Sequence, residues 1–284
     1  MLVGGFAAGV FGSLLGLGGG ILIVPLLTLG FGLDLRSAVG VSLVCVIMTS
    51  SAAAGVYLER HIANLRLGMS LELFTAIGAL VGGSIAFLVD ERFLSVLFAA
   101  LLGYVAFSMA RAPSPAIEPD GDADGAEESA AGPGRVSITA LGAPGPLDAQ
   151  TAFLARVAGP DYEVRNLGRG IVGATGAGVV SALLGVGGGI IKVPLMHLTM
   201  GVPLRVATAT SNLMIGITAA ASAVIYLLRG EIDPYVAGPT AIGVFIGATI
   251  GSRVAHRIAL RYLRTLFVVV MVYTAIQMLV RAAS

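Results

Sequence analysis

The ten residues Gly16-Leu17-Gly18-Gly19-Gly20-Ile21-Leu22-Ile23-Val24-Pro25 recur as Gly185-Val186-Gly187-Gly188-Gly189-Ile190-Ile191-Lys192-Val193-Pro194, an offset of 169 residues. Glycine holds a helix least well of the ordinary residues, having no Cβ and the most backbone freedom to lose. Proline lacks the amide donor, clashes with the preceding turn and pushes the residue before it toward extended backbone. Yet both copies lie inside long apolar runs. In a bilayer, non-helical backbone survives only where protein buries it or where it lines a polar cavity. Paired hydrophobic segments interrupted by Gly and Pro at matching places in two halves are the sequence signature of a binding site between membrane repeats.

The composition agrees with a membrane setting. Hydrophobic residues make up 56% of the chain and charged residues 12%, where a soluble domain carries about 25% charged. The mean hydropathy is +0.94. At about 20 apolar residues per crossing, the apolar stretches hold roughly seven to nine helices. Trp is absent, which leaves Tyr and Arg as interfacial anchors. Cys45 stands alone in an apolar run, so neither a disulfide nor a thiolate metal site can be built, and it reads as a small packing residue. No basic stretch precedes the first apolar run, so no cleaved targeting peptide is expected.

Outward from the first break, apolar spans fall at about 2–30, 38–58, 68–89 and 93–110. The third is rich in small residues, and its Gly78 and Gly82 have the spacing that lets two helix backbones approach closely. From 111 to about 169 the composition changes. This stretch holds seven prolines and nine of the sixteen acidic residues, and 113–134 has the low hydrophobicity and negative charge of a linker. Residues 148–157 could form a short amphipathic helix. Apolar spans resume at about 171–201, 206–228, 235–255 and 263–281. At the same offset Arg36 meets Arg205, Ser42 meets Ser211, Thr49 meets Thr218, Tyr57 meets Tyr226 and Gly82 meets Gly251, without a gap. We therefore expect an all-α polytopic membrane protein of two homologous four-helix halves. It has about eight transmembrane segments, with the first helix of each half broken by Gly and Pro. Residues 1–110 form the first repeat, 111–169 the acidic linker and 170–284 the second repeat.

Basic residues in short loops face the cytoplasm. The richest cluster is Arg253, His256, Arg257, Arg261 and Arg264, which with eight full spans puts both termini and the linker outside. If each interrupted segment is instead a re-entrant hairpin, the parity changes and the repeats become inverted.

A helix broken near the midplane offers unpaired N–H groups, and its dipole there favours anions. Gly18, Gly19, Gly20, Gly187, Gly188 and Gly189 leave the backbone bare for a small ligand, with Pro25 and Pro194 closing each segment. Hydroxyls at Ser42, Thr49, Ser211 and Thr218 follow one helix later, and Thr208, Thr210 and Asn212 add polar groups that the first copy lacks. Such hydroxyls also bond to their own helix backbone. Lys192 is the sharpest residue, because its counterpart is Ile23. A charge within a span costs about 2.5 to 3.5 kcal/mol on insertion scales. Lys192 would attract an anion or carry a proton, or else snorkel to an interface. His197 could titrate near neutral pH or serve in packing. Glu72 lies close enough to a span end to be interfacial.

At these residues the chain resembles a known family. The doubled GLGGGILIVPLL and GVGGGIIKVPLM, each followed by a helix with a polar group (VGVSL and ATATSN), look like the TauE/SafE family of sulfite exporters. The resemblance covers both membrane halves. It implies a small permease of the cell membrane for sulfite, sulfonates and related organosulfur anions, coupled to an ion. The glycine–proline segments and the Ser/Thr groups would line its substrate path.

The expected function is therefore secondary transport of a small sulfur-containing anion by alternating access. A passive anion channel, or a permease for a different small anion, is the alternative. The chain lacks the GxxxxGK[ST] of an ATP site. The spans also lack the paired carboxylates or His/Glu metal set of an intramembrane enzyme. No cofactor, metal or nucleic acid is expected. The expected partners are the anionic substrate, a coupling proton or sodium ion and the lipid bilayer, and a homodimer is compatible with the sequence.

Overall fold

Runs of Leu, Val, Ile, Ala and Phe that are apolar on every side can satisfy their backbone in a bilayer only as helices. The computed structural model describes residues 1–15, 19–59, 63–111, 164, 166–254 and 260–283, and its described residues contain helices and no strand. In chain order the helices are α1 (Leu2–Leu15), α2 (Gly20–Pro25), α3 (Leu35–Glu59), α4 (Leu65–Ala86), α5 (Glu91–Arg111), α6 (Leu167–Leu184), α7 (Gly189–Pro194), α8 (Leu204–Leu228), α9 (Pro234–Val254) and α10 (Leu260–Ala283). Six of them (α3, α4, α5, α6, α8 and α9) are long and apolar enough to cross a membrane. Outward-facing Leu73, Phe107, Val172 and Ile246 leave an apolar surface for lipid. The protein is a multi-pass membrane protein.

Single crossings were the expectation for 2–30 and 171–201, and here the chain does something else. Each run folds back as a helical hairpin. Gly4 in α1 lies against Leu26, and Gly19 lies near the Ala8 carbonyl. In the second run Gly173 lies against Leu195, Gly170 against Met200 and Gly188 against the Ala177 carbonyl. The reversals are made by left-handed glycines: Gly19 at φ 73°, and Gly185, Gly187 and Gly188 at φ 67°, 82° and 74°. A side chain at such a φ is strained. The parity assumed for eight straight crossings is thereby replaced. Residues 112–163 and 165 of the linker, with the suggested helix at 148–157, lie outside the described residues, as do Gly18, His256 and Arg257.

Proline shapes the returning arm of each hairpin. Pro25 and Pro194 end α2 and α7, and one turn of π-helix follows each, over Leu26–Gly30 and Leu195–Thr199. A widened turn accommodates the lost donor. The Thr28 hydroxyl adds a bond to the Val24 carbonyl at 3.0 Å.

Glycines set the helix packing. Gly5 and Gly9 of α1 rest on the Thr240 and Val244 carbonyls of α9, while Gly243 and Gly247 rest on Leu2 and Phe6. Gly78 and Gly82 of α4 rest on Thr175 and Val179 of α6 in the same way, as the close-packing reading of that spacing requires. Both pairs run parallel. At the centre α3 and α8 run antiparallel: Ser50 donates to the Asn212 carbonyl, Gly40 lies against Tyr226, and Ser37 donates to Glu231. Cys45 is fully buried in this core as a packing residue.

Candidate functional site

The two breaks meet in the middle of the bundle. A Cβ on Gly20 would stand 2.5 Å from the Gly185 carbonyl oxygen, so only glycine permits the approach. Ser42 of α3 donates to the Gly185 carbonyl at 2.7 Å and lies 3.3 Å from that of Gly20. Each hairpin then restarts as a helix on a glycine carbonyl. Gly19 O accepts from Leu22 and Ile23, and Gly188 O accepts from Ile191 and Lys192 at 3.1 and 3.0 Å.

The second break differs from the first in its hydroxyls. Ser211 of α8 and Ser181 of α6 are buried, and neither hydroxyl has a hydrogen-bond partner among the described residues. Ser181 lies against Gly188, and the Ser211 Oγ would be 3.6 Å from a Cβ on Gly189. A buried hydroxyl with no partner loses its hydration for nothing, at about 1–3 kcal/mol. Two of them flank consecutive glycines here, Gly188 packed against Ala177 and Gly189 against Ile215. The counterpart of Ser211 is Ser42, whose hydroxyl is already engaged.

Lys192 closes the arrangement one turn beyond Gly188, and its Cε would be 3.5 Å from a Cβ there. The side chain does not snorkel. Its Nζ lies 3.2 Å from Glu72 Oε2 and donates to the Thr218 hydroxyl, with side-chain exposures of 1% for Lys192 and 5% for Glu72. Thr218 in turn donates to Glu72 Oε1 at 2.6 Å. The expectation of an interfacial Glu72 is overturned, because α4 packs along α6 and α8 and carries that residue inward. The counterparts of Lys192 and Thr218 are Ile23 and Thr49, and at the counterpart of Glu72 stands Ala241. The ion pair therefore has no match at the equivalent positions of the other half.

Other expected ligands are engaged elsewhere. Thr210 accepts from the Asn64 amide at 3.0 Å at the start of α4. Thr49 donates to the Val46 carbonyl and turns its methyl to Gly19. The main-chain carbonyl of Asn212 accepts from the Ser50 hydroxyl, and its side chain is buried. Thr208 bonds its own helix at Leu204, and His197 bonds the Val202 carbonyl at 2.9 Å. No group of three His, Cys, Asp or Glu able to hold a metal occurs among the described residues.

Two residues of this centre escaped sequence reasoning. Ser181 sits in a small-residue helix where a serine is unremarkable. Glu72 had a signal, since a lysine buried in a span requires an anion beside it.

Comparison with known proteins adds three findings. The family model described as sulfite exporter TauE/SafE matches residues 1–278. The curated Bacillus subtilis (strain 168) protein named "Probable membrane transporter protein YunE" is 26% identical over 255 residues, which is 87% of this chain and 84% of the relative. No solved structure matches the chain.

Proposed function

The chain belongs to the TauE/SafE sulfite exporter family, and from that premise we propose that it is a secondary transporter of small sulfur-containing oxyanions such as sulfite and sulfonates. The observation that carries the reading is the pair of unpartnered buried hydroxyls, Ser181 and Ser211, beside Gly188 and Gly189. A compact oxyanion accepts hydrogen bonds from every side and needs close approach to bare backbone. The two serines offer donors beside Gly188 and Gly189. Ile215 packs on the backbone there and would have to turn aside to admit the ligand, and Lys192 lies a turn away in its pair with Glu72.

Alternating access is the mechanism we favour. Gly20, Leu26, Leu35 and Leu65 open helical elements, and so do Gly189, Leu195, Leu204 and Pro234, each 169 residues on. With α3 and α8 antiparallel, this is the pattern of an inverted pair of repeats around a central site. The repeats would be 1–110 and 170–284, joined by 111–169. In this account Gly19, Gly20, Pro25 and Ser42 belong to the half that holds the site in register, and Pro194 with its π-turn shapes the arm that moves.

The test is a thermal-shift screen of the purified protein with sulfite, sulfate, thiosulfate, taurine and sulfoacetate. A ligand bound by the folded state alone stabilises it by about 2.7 kcal/mol at a hundredfold excess over Kd. A selective shift that vanishes in the Ser181→Ala/Ser211→Ala variant supports the site. No shift with any of the five speaks against sulfur oxyanions as substrates.

A further inference from the structure

Lys192, Glu72 and Thr218 form a closed ring with no net charge beside the second break. Lys192 reaches both partners, and Thr218 donates to the carboxylate oxygen that Lys192 does not hold. A site of this kind cannot admit an anion alone. An added negative charge in a buried, low-dielectric place would stand uncompensated beside the carboxylate. Admitting an anion together with a proton leaves the total charge unchanged.

Resting on the transport reading above, we propose that Glu72 is the proton-coupling residue and that the protein moves one proton with each monoanion. In the step, Glu72 takes a proton, its ion pair with Lys192 opens, and the Lys192 ammonium turns to the incoming anion. No bond other than O–H forms, and with proton and anion both bound the site is again neutral. Release of the anion returns Lys192 to the carboxylate as the proton leaves. Thr218 positions the carboxylate, because its hydroxyl donates to the ionised form and can accept from the protonated one.

The groups around Glu72 leave the proton few other places to go. On its own helix the charged neighbour is Arg66, two turns toward the helix start. From α6 the charged residue is Arg169, exposed in the first turn. The arm carrying Lys192 also carries His197, which is bound to Val202, and α8 carries Arg205 in its first turn and Tyr226, which donates to the Ala182 carbonyl. Lys192 forms the ion pair with Glu72 that is seen among the described residues. Its first-repeat counterpart, Ile23, cannot do so, so the matching place in the other half carries no such pair.

Full-length protein in proteoliposomes tests this, with sulfite and methanesulfonate as probes. An acidic exterior should drive accumulation by the wild type toward about tenfold per pH unit, the limit for one-to-one symport. A potassium diffusion potential should leave methanesulfonate flux unchanged. Glu72→Gln should abolish the accumulation. Because that change strands the Lys192 charge, the neutral double variant Glu72→Gln/Lys192→Met serves as the folded control. It should melt close to the wild type and well above Glu72→Gln, and still show no pH-driven accumulation. Accumulation that follows the potential or a sodium gradient, or that persists in either variant, overturns proton coupling and leaves the transporter standing. If the wild type moves neither probe, the transport reading falls and this inference falls with it.

Discussion

Ser42 donates to the carbonyl of Gly185 at 2.7 Å, joining the first membrane segment after one hairpin to the break of the other across 143 residues of chain. The same carbonyl lies against Gly20, so the two reversals are held in register by one hydroxyl and one missing side chain. Ser42→Ala should lower stability by about 1–3 kcal/mol, the penalty for a stranded buried partner. A thermal melt in detergent checks it, and an unchanged Tm would mean that the contact between the breaks does not need the bond.

Gly20→Ala should be more damaging than its small size suggests. Its methyl would stand 2.5 Å from a backbone oxygen that has nowhere to move. Gly103→Ala is the matched control, since that glycine is exposed on α5 with nothing within 4 Å. There the change should be neutral or raise stability by up to about 1 kcal/mol through helix propensity. Equal Tm values for the two variants would contradict the central contact.

The ion pair predicts strong non-additivity. Lys192→Met or Glu72→Gln alone breaks a buried pair and should cost about 3–5 kcal/mol, whereas the double variant should cost far less than the sum. Melts of the four proteins of the cycle give the coupling directly. Additive losses would mean that the two side chains do not depend on each other.

Ser181→Ala and Ser211→Ala should behave in the opposite sense. Neither hydroxyl has a protein partner to lose among the described residues, so removing it should leave the Tm unchanged or raise it. Oxyanion affinity should fall all the same. A drop in Tm with affinity intact would make both serines structural.

Much of the fold could be read from the residues alone. The all-helical membrane class follows from apolar runs too long and too uniform for soluble helices, and the place of the centre follows from the doubled glycine–proline segments. The direction of the chain after each break was not legible, because a glycine permits φ near +70° without requiring it. Gly19 and Gly188 adopt that φ because Leu26 and Leu195 find packing against Gly4 and Gly173. Glu72 was misplaced for a related reason. Its position near a helix start suggests an interface, whereas its burial is set by a partner 120 residues away. Lys192 stood out in the sequence because an isolated charge in an apolar run is conspicuous. Ser211 stood out through its match to Ser42 but Ser181 did not, and that both hydroxyls are idle is a property of their surroundings that no motif carries.

The most direct measurement is counterflow of labelled sulfite in proteoliposomes by the wild type and by Ser181→Ala/Ser211→Ala at matched Tm. The account predicts saturable exchange by the wild type, lost or shifted to much higher concentration in the double variant. Identical exchange curves for the two proteins would contradict a substrate site at the second glycine break.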